Sequence, residues 1–497
     1  MANLNEAFGR LWTADDGADM LHYDGEWVRW GQVRSLAERV DQELRDAGCS
    51  VGGRVAVVLG NRPESVASLI AILRGERTLV TISPLQPPER LSNDLIASGV
   101  SYVLAPEQLW SESVFTKAVD TLGAAGWGVN GEETVMRAQL THEAVVGDSA
   151  VAVEMLTSGT TGPPKRIPLT RGQLEASLAA ASVHNHRADG ADKPPFAGAV
   201  GLVSIPIVHI GGMWALLQSL VAARRVALLE RFTLAGWHDA VKEHKPALVG
   251  LPPPAIRAVL DADIPREDLA SVRAINAGTS PVDPVLVDAF FERYGIPVVI
   301  VYGATEFCGA VAGWTVRDFN ERWNIKKGSV GRAFPGVRLR VIDDDGDVLS
   351  TGETGRLQVA AVQVSGSEEC WVTTSDLAHT DEDGFLYIDG RADDVILRGG
   401  FKIAPETVAT ALCGHEAVAD AVVFGLRDER LGQVPVAAVE LRPGASATPN
   451  ELRMHCRSVL APYEVPTQVY VLDELPRGAA LKVDRRGLME RLDQVGD

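Results

Sequence analysis

The run Thr157-Ser-Gly-Thr-Thr-Gly-Pro-Pro-Lys165 carries the strongest chemical signal in the chain. Its glycines, Gly159 and Gly162, permit tight turns whose backbone N–H groups can face phosphate oxygens. Thr157, Ser158, Thr160 and Thr161 add hydroxyl donors, and Lys165 adds positive charge. A polar surface turn would have a similar composition. However, this loop follows the apolar stretch Ala150–Leu156 and closes on Pro-Pro-Lys, which such turns seldom do. It is not a P-loop, because Pro163 and Pro164 separate Gly162 from the lysine. His184-Asn-His186 has no further ligands at metal spacing and reads as a polar loop.

The elements that must hold such a loop alternate between strand and helix. Arg54–Leu59 is an apolar run, and Pro63 opens a helix with Val66, Leu69, Ile70 and Leu73 on one face. Thr78–Ile82, Pro88–Ser98 and Ser101–Ala105 continue as strand, helix and strand. The pattern returns at Val226–Leu229, Trp237–His244, Ala247–Gly250 and Ile256–Leu260. This is an α/β texture of parallel sheets covered by helices. From Val337 the chain alternates as β structure, with strands at Val337–Ile342, Arg356–Val359 and Gly384–Ile388, and reads as a smaller β unit closing a large first domain. Beyond Gly390-Arg391 it becomes αβ again, with strands at Ala421–Phe424 and Val434–Leu441. The expected domains are 1–392 and a small mobile α+β domain, 393–497.

At 497 residues the chain exceeds one compact core, and 46% apolar residues suffice for a large interior. No internal repeat is evident. A net charge of −19 disfavours nucleic-acid partners. The five cysteines have no metal-ligand spacing and read as reduced thiols, and the start lacks a signal pattern, so a cytoplasmic protein is expected. The most apolar stretch, Leu202–Val226, is interrupted by Pro206, His209, glycines and Gln218, and reads as buried core rather than a membrane span.

The loop resembles the phosphate-binding signature of the adenylate-forming enzymes: acyl-CoA synthetases, peptide-synthetase adenylation domains and luciferases. Further motifs of that family follow in its order. They are Val301-Tyr-Gly-Ala-Thr-Glu306, Gly352-Glu-Thr-Gly-Arg-Leu, Thr374-Ser-Asp376, Gly390-Arg-Ala-Asp-Asp-Val-Ile396, Arg398-Gly-Gly-Phe-Lys-Ile and Pro476-Arg-Gly-Ala-Ala-Leu-Lys482. The resemblance covers nearly the whole chain. It implies attack of a carboxylate on the α-phosphate of ATP, with pyrophosphate leaving, a step that needs positive charge and oriented donors.

On that resemblance, the Thr157–Lys165 loop holds the leaving phosphates, Thr305 contacts the α-phosphate and Glu306 holds Mg²⁺. Tyr302 stacks on adenine within a nucleotide site that also includes Gly278, Thr279, Ser280, Gly303, Ala304 and Ile388. Asp376 accepts the ribose hydroxyls, Arg391 contacts ribose or phosphate, and Lys482 bridges the carboxylate and α-phosphate. The acyl pocket would draw on His209, Gly211, Ala277, Gly278, Ala304, Phe307 and Cys308, with Cys308 a small lining residue rather than a nucleophile. His209, Met213, Trp214 and Phe307 point to an aromatic or bulky cyclic acid. Asp393 becomes a hinge, and Gly399 and Gly400 line a tunnel for the acceptor thiol, usually coenzyme A.

The second half departs from the family pattern. Ser375 and Leu481 replace glycines, Thr407 and Ala409 stand where glutamates are expected with Glu406 one place early, and Asp428–Gln433 lacks a tryptophan and a final glutamate. None of these removes an adenylation group. The reading is a two-domain, Mg-ATP-dependent ligase acting on a small-molecule carboxylic acid, with coenzyme A first among acceptors. A carrier-protein thiol or an amine, giving an amide, is the alternative, and a nucleotide-binding pseudoenzyme a further one.

Overall fold

The computed structural model describes residues 3–131, 133–157, 165–184, 194–398, 401–428, 430–478 and 483–495. Two helix-backed sheets dominate the first part of the chain. In the first, the strands run in the order Glu133–Ala138, Ala125–Asn130, Tyr102–Pro106, Arg54–Val58, Thr78–Ile82, Val151–Thr157 and Lys165–Thr170. The inner pairs are parallel and only the two edge strands are antiparallel. Val55–Val58 and Thr78–Ile82 are buried throughout, so they read as continuous apolar runs rather than alternating ones. Pro63 and Pro88 each open a helix at a position where the missing N–H costs no intrahelical bond. The Pro63–Arg74 helix is buried from Ser65 to Leu73, not along one face alone, because it is covered by the sheet and by the helix Trp30–Asp46.

The second sheet runs Leu248–Gly250, Ala274–Ala277, Val298–Ala304, Gly309–Gly313, Gly331–Ala333, Phe385–Arg391, Ser367–Thr380, Gly355–Ala361 and Arg338–Ile342. Its first three strands are parallel and the rest antiparallel. The β unit seen in the sequence therefore continues a helix-backed sheet, joined through the hairpin of Val298–Ala304 and Gly309–Gly313. A smaller sheet places Gly201–Val203 and Val226–Leu228 beside an N-terminal hairpin, Asp19–Tyr23 and Glu26–Arg29. The apolar stretch resolves into the strand Gly201–Val203 and the helix Ile210–Val221, whose Met213, Leu216, Leu217 and Leu220 are fully buried. No helix among the described residues is long and apolar enough to cross a membrane.

A last sheet combines Phe401–Ile403, Ile396–Arg398, Gly432–Leu441 and Val418–Asp428, with Gln468–Leu472 parallel to Gly432–Leu441. Its core, including Ile396, Ile403, Val408, Val423, Val439 and Leu452, is separate from the cores of the earlier sheets.

Candidate active site

Strand ends and the turns after them carry the candidate residues. Thr157 ends the Val151–Thr157 strand and pairs with Lys165, the exposed first residue of the antiparallel edge strand Lys165–Thr170, so a paired strand end stands on each side of the phosphate loop. Ser158, Gly159, Thr160, Thr161 and Gly162 lie outside the described residues, as do Gly399, Gly400 and Lys482. The Lys165–Thr170 strand runs beside the short turn Thr305–Phe307, which brings this edge strand next to Glu306.

Tyr302, Gly303 and Ala304 end the Val298–Ala304 strand, and Thr305 and Glu306 form the turn after it. Glu306 is exposed, with no ion pair among the described residues, while Phe307 and Cys308 turn inward and are buried. The reversal is tight. Cys308 takes a left-handed conformation and its N–H donates to the Thr305 carbonyl at 2.9 Å. The Cys308 carbonyl accepts from the Ser177 hydroxyl at 2.8 Å, and that hydroxyl in turn accepts from Trp214 Nε1 at 3.1 Å. Gln363 donates to the carbonyls of Phe307 and Ala310 at 3.1 and 2.9 Å. Gly303 has no alternative here, since a Cβ would fall 2.2 Å from the Gly309 carbonyl oxygen. Burial pushes the Cys308 thiol up to about 12, so it stays protonated and is no nucleophile.

Tyr302 donates its hydroxyl to Asp376 Oδ2. Burial, reinforced by the Asp376 charge, raises the phenol far above its ordinary range and keeps it a donor. Asp376 lies directly across the sheet from Arg391, and its N–H donates to Thr374 Oγ1 at 3.0 Å. Arg391 donates to the Ser375 hydroxyl at 2.5 Å, and its Nε is buried with no partner among the described residues. Ser375, a departure from the family pattern, thus engages the arginine, which also meets Asp393 at 3.7 Å. Ile388 packs in the same cluster as Tyr302 and Ala304.

The other wall comes from two further chain turns. Ala277 is buried at a strand end, followed by Gly278, by Thr279 at φ +72° and by Ser280. A positive φ at threonine is a strained conformation of the kind that collects at ligand sites. A Cβ on Gly211 would lie 3.9 Å from Thr279 Cγ2, so the His209–Gly211 turn meets this loop. His209 precedes the Ile210–Val221 helix with its Nε2 buried and unpartnered among the described residues. Burial lowers its pKa and keeps the imidazole neutral.

Asp393 is exposed in the link between the sheets that end at Arg391 and begin at Ile396. Around it lie ionic contacts made by Arg485, which no motif marked. Arg485 meets Asp394 at 2.8 Å and Glu406 at 4.0 Å, and a Cβ on Gly390 would lie 3.2 Å from Glu406 Oε2. The displaced Glu406 therefore sits against Gly390, and its buried carboxyl is raised above the usual range, chiefly by desolvation.

The AMP-binding enzyme family matches residues 12–366, and the AMP-binding enzyme C-terminal domain matches residues 407–482. The chain belongs to the adenylate-forming, AMP-binding enzyme family. It is 29% identical to a 2-succinylbenzoate–CoA ligase of Bacillus subtilis, over 95% of this chain and 94% of that one. It is also 29% identical to an indoleacetate–CoA ligase of Aromatoleum aromaticum, over 98% of both. The solved o-succinylbenzoate CoA synthetase of Bacillus subtilis, in complex with its acyl-adenylate intermediate, superposes with TM-score 0.78 at 25% identity, over 98% and 97% of the two chains.

Proposed function

We propose that this chain activates a bulky, ring-bearing carboxylic acid as its acyl-adenylate and passes the acyl group to coenzyme A. The observation that carries the reading is the group formed by Tyr302, Asp376 and Arg391, a carboxylate fixed by one neighbour with an arginine opposite it in the strand register. With one oxygen engaged by Tyr302, Asp376 keeps the other for ribose hydroxyls. Arg391, held by Ser375, can neutralise phosphate charge on the same face.

Glu306 is an exposed oxygen donor with no competing cation among the described residues, which suits a hard ion. It would hold Mg²⁺, whose charge offsets that of the phosphates and the incoming carboxylate. Thr305, Lys165 and Lys482 would supply the remaining donors around the phosphates. The walls at Ala277–Gly278, His209–Gly211, Ala304 and Phe307–Cys308 would form an apolar acyl pocket, with neutral His209 offering its polar edge to a substituent on the acid.

Coenzyme A carries several phosphates, whereas a simple amine carries none. A cavity of about 440 Å³ is lined by Arg398, Arg453 and Arg457. None of the three makes an ion pair among the described residues; they donate instead to the Tyr463 carbonyl, the Pro466 carbonyl and the Met454 sulfur. Guanidinium groups without an ion pair among the described residues, in a chain of net charge −19, favour a phosphate-bearing acceptor. The turn at Asp393 supports a hinge between domains of 1–392 and 393–497, and five unpaired cysteines suit a cytoplasmic setting. Pyrophosphate release across a library of aryl and alicyclic acids tests the reading; no release with any acid would reject it.

A further inference from the structure

Three side chains outside every adenylation motif meet where the N-terminal hairpin touches the end of a helix. His22 lies in the strand Asp19–Tyr23, opposite Trp27 across the hairpin. Glu243 and His244 are the last two residues of the helix Leu234–His244. His22 Nδ1 and His244 Nε2 are 3.0 Å apart, although 222 positions separate them in sequence. The Glu243 carboxylate spans the pair, with Oε1 3.4 Å from His22 Nε2 and Oε2 3.9 Å from His244 Nε2.

We propose that His22, Glu243 and His244 form a binding site for a divalent transition cation of the zinc class, which ties the N-terminal hairpin to this helix. Tetrahedral zinc with bonds of ~2.0–2.1 Å sets its ligands about 3.3 Å apart. One ligand atom from each residue can be chosen so that all three lie within 4.8 Å of one another, a spread that a small movement of the exposed Glu243 side chain would close. Two imidazoles and one carboxylate are a recurring zinc ligand set, with the fourth position left to water. His22 and His244 side chains are 13% and 4% exposed, so both rings are already held, while Glu243 is 57% exposed and free to swing inward. Trp27 packs edge-on against both rings.

The charges on every side allow a cation. The last carbonyls of the helix present negative partial charge, and Glu243 adds a full one. Lys242 turns toward Asp268. Arg225 opposes, lying 5.5 Å over the Trp27 ring and acting on His244. Without metal, one imidazole donates a hydrogen to the other; with the cation bound, that hydrogen would move to the second nitrogen of its own ring, leaving both imidazoles neutral.

Chelator-treated full-length protein, without ATP, would be titrated with zinc chloride at pH 7.5 in a calorimeter and melted with and without the metal. The expected result is one tight site and a Tm that rises with zinc but not with magnesium. Glu243→Gln, at an exposed position, should keep the metal-free Tm and bind zinc at least tenfold more weakly. His244→Ala should lose the site. Nickel should quench tryptophan fluorescence less in Trp27→Phe than in the parent. Absence of zinc binding would overturn the proposal. So would unchanged affinity in either ligand variant, which would place the ion elsewhere, for example at the His415–His455 pair, whose rings are 5.2 Å apart.

Discussion

Removing the Tyr302 hydroxyl should weaken ATP use without unfolding the protein. Tyr302→Phe keeps the ring, and with it the contact to Phe307 at 6.2 Å between centroids. It deletes only the hydrogen bond to Asp376 Oδ2. A hydrogen bond to a charged group contributes about 1.5–3 kcal/mol. At 1.36 kcal/mol per tenfold, the full loss corresponds to about 10- to 150-fold in kcat/KM for ATP. Asp376 keeps its backbone tie to Thr374 at 3.0 Å and faces Arg391 across the sheet, so the lower end of that range is expected. The assay is acid-dependent ATP–pyrophosphate exchange, run with ATP and with 2′-deoxy-ATP. If Tyr302 aims the carboxylate at ribose, the variant should lose most of the parent's preference for ATP, with the effect concentrated in KM. A folded variant with unchanged KM and unchanged preference would refute the reasoning and leave this hydrogen bond a purely structural one.

Gly303→Ala should fail to fold or lose well over the ~1–3 kcal/mol of ordinary overpacking, since its Cβ would strike backbone at 2.2 and 2.6 Å; a normal melting curve would contradict this. Gly211→Ala meets only Thr279 Cγ2 at 3.9 Å, so it should fold normally and shift the order of preferred acids; an unchanged order would remove Gly211 from the pocket. Because burial lowers the His209 pKa, the unfolded chain takes up that proton first as pH falls below about 6.5, and stability is lost on through the folded value. His209→Phe should therefore flatten the fall of Tm as pH drops below about 6.5, and an identical profile would show that His209 is not held neutral. Lys482→Ala should lower adenylation by ~10²–10³ while ATP binding persists; near-normal pyrophosphate exchange would reject its assignment.

Local patterns made much of the fold legible. Arg54–Val58, Thr78–Ile82 and the helices opened by Pro63 and Pro88 stand where apolar runs and proline place them. Long-range pairing was not legible. Nothing in Asp19–Arg29 announces that it joins Val226–Leu228, two hundred residues on, because a short strand carries no label for its neighbour. The continuation of the parallel sheet into the antiparallel strands was hidden for the same reason. In the site, motif order marked Tyr302, Asp376 and Arg391, and the structure brings them together. Ser375 and Glu406 read only as departures, since a hydroxyl that supports an arginine and a carboxyl tucked against Gly390 depend on spatial neighbours. Ser177 and Gln363, which pin the Thr305–Ala310 reversal, had no sequence signal, because each acts through carbonyls more than fifty positions away.

The most direct measurement is mass spectrometry of the products formed from ATP, magnesium and a library of aryl and alicyclic acids, with coenzyme A and an amine mixture both supplied. Acyl-adenylate and acyl-coenzyme A, formed with pyrophosphate and without amides, are the predicted products. Amides in place of thioesters would contradict the proposed acceptor, and the absence of any adenylate would contradict the activity itself.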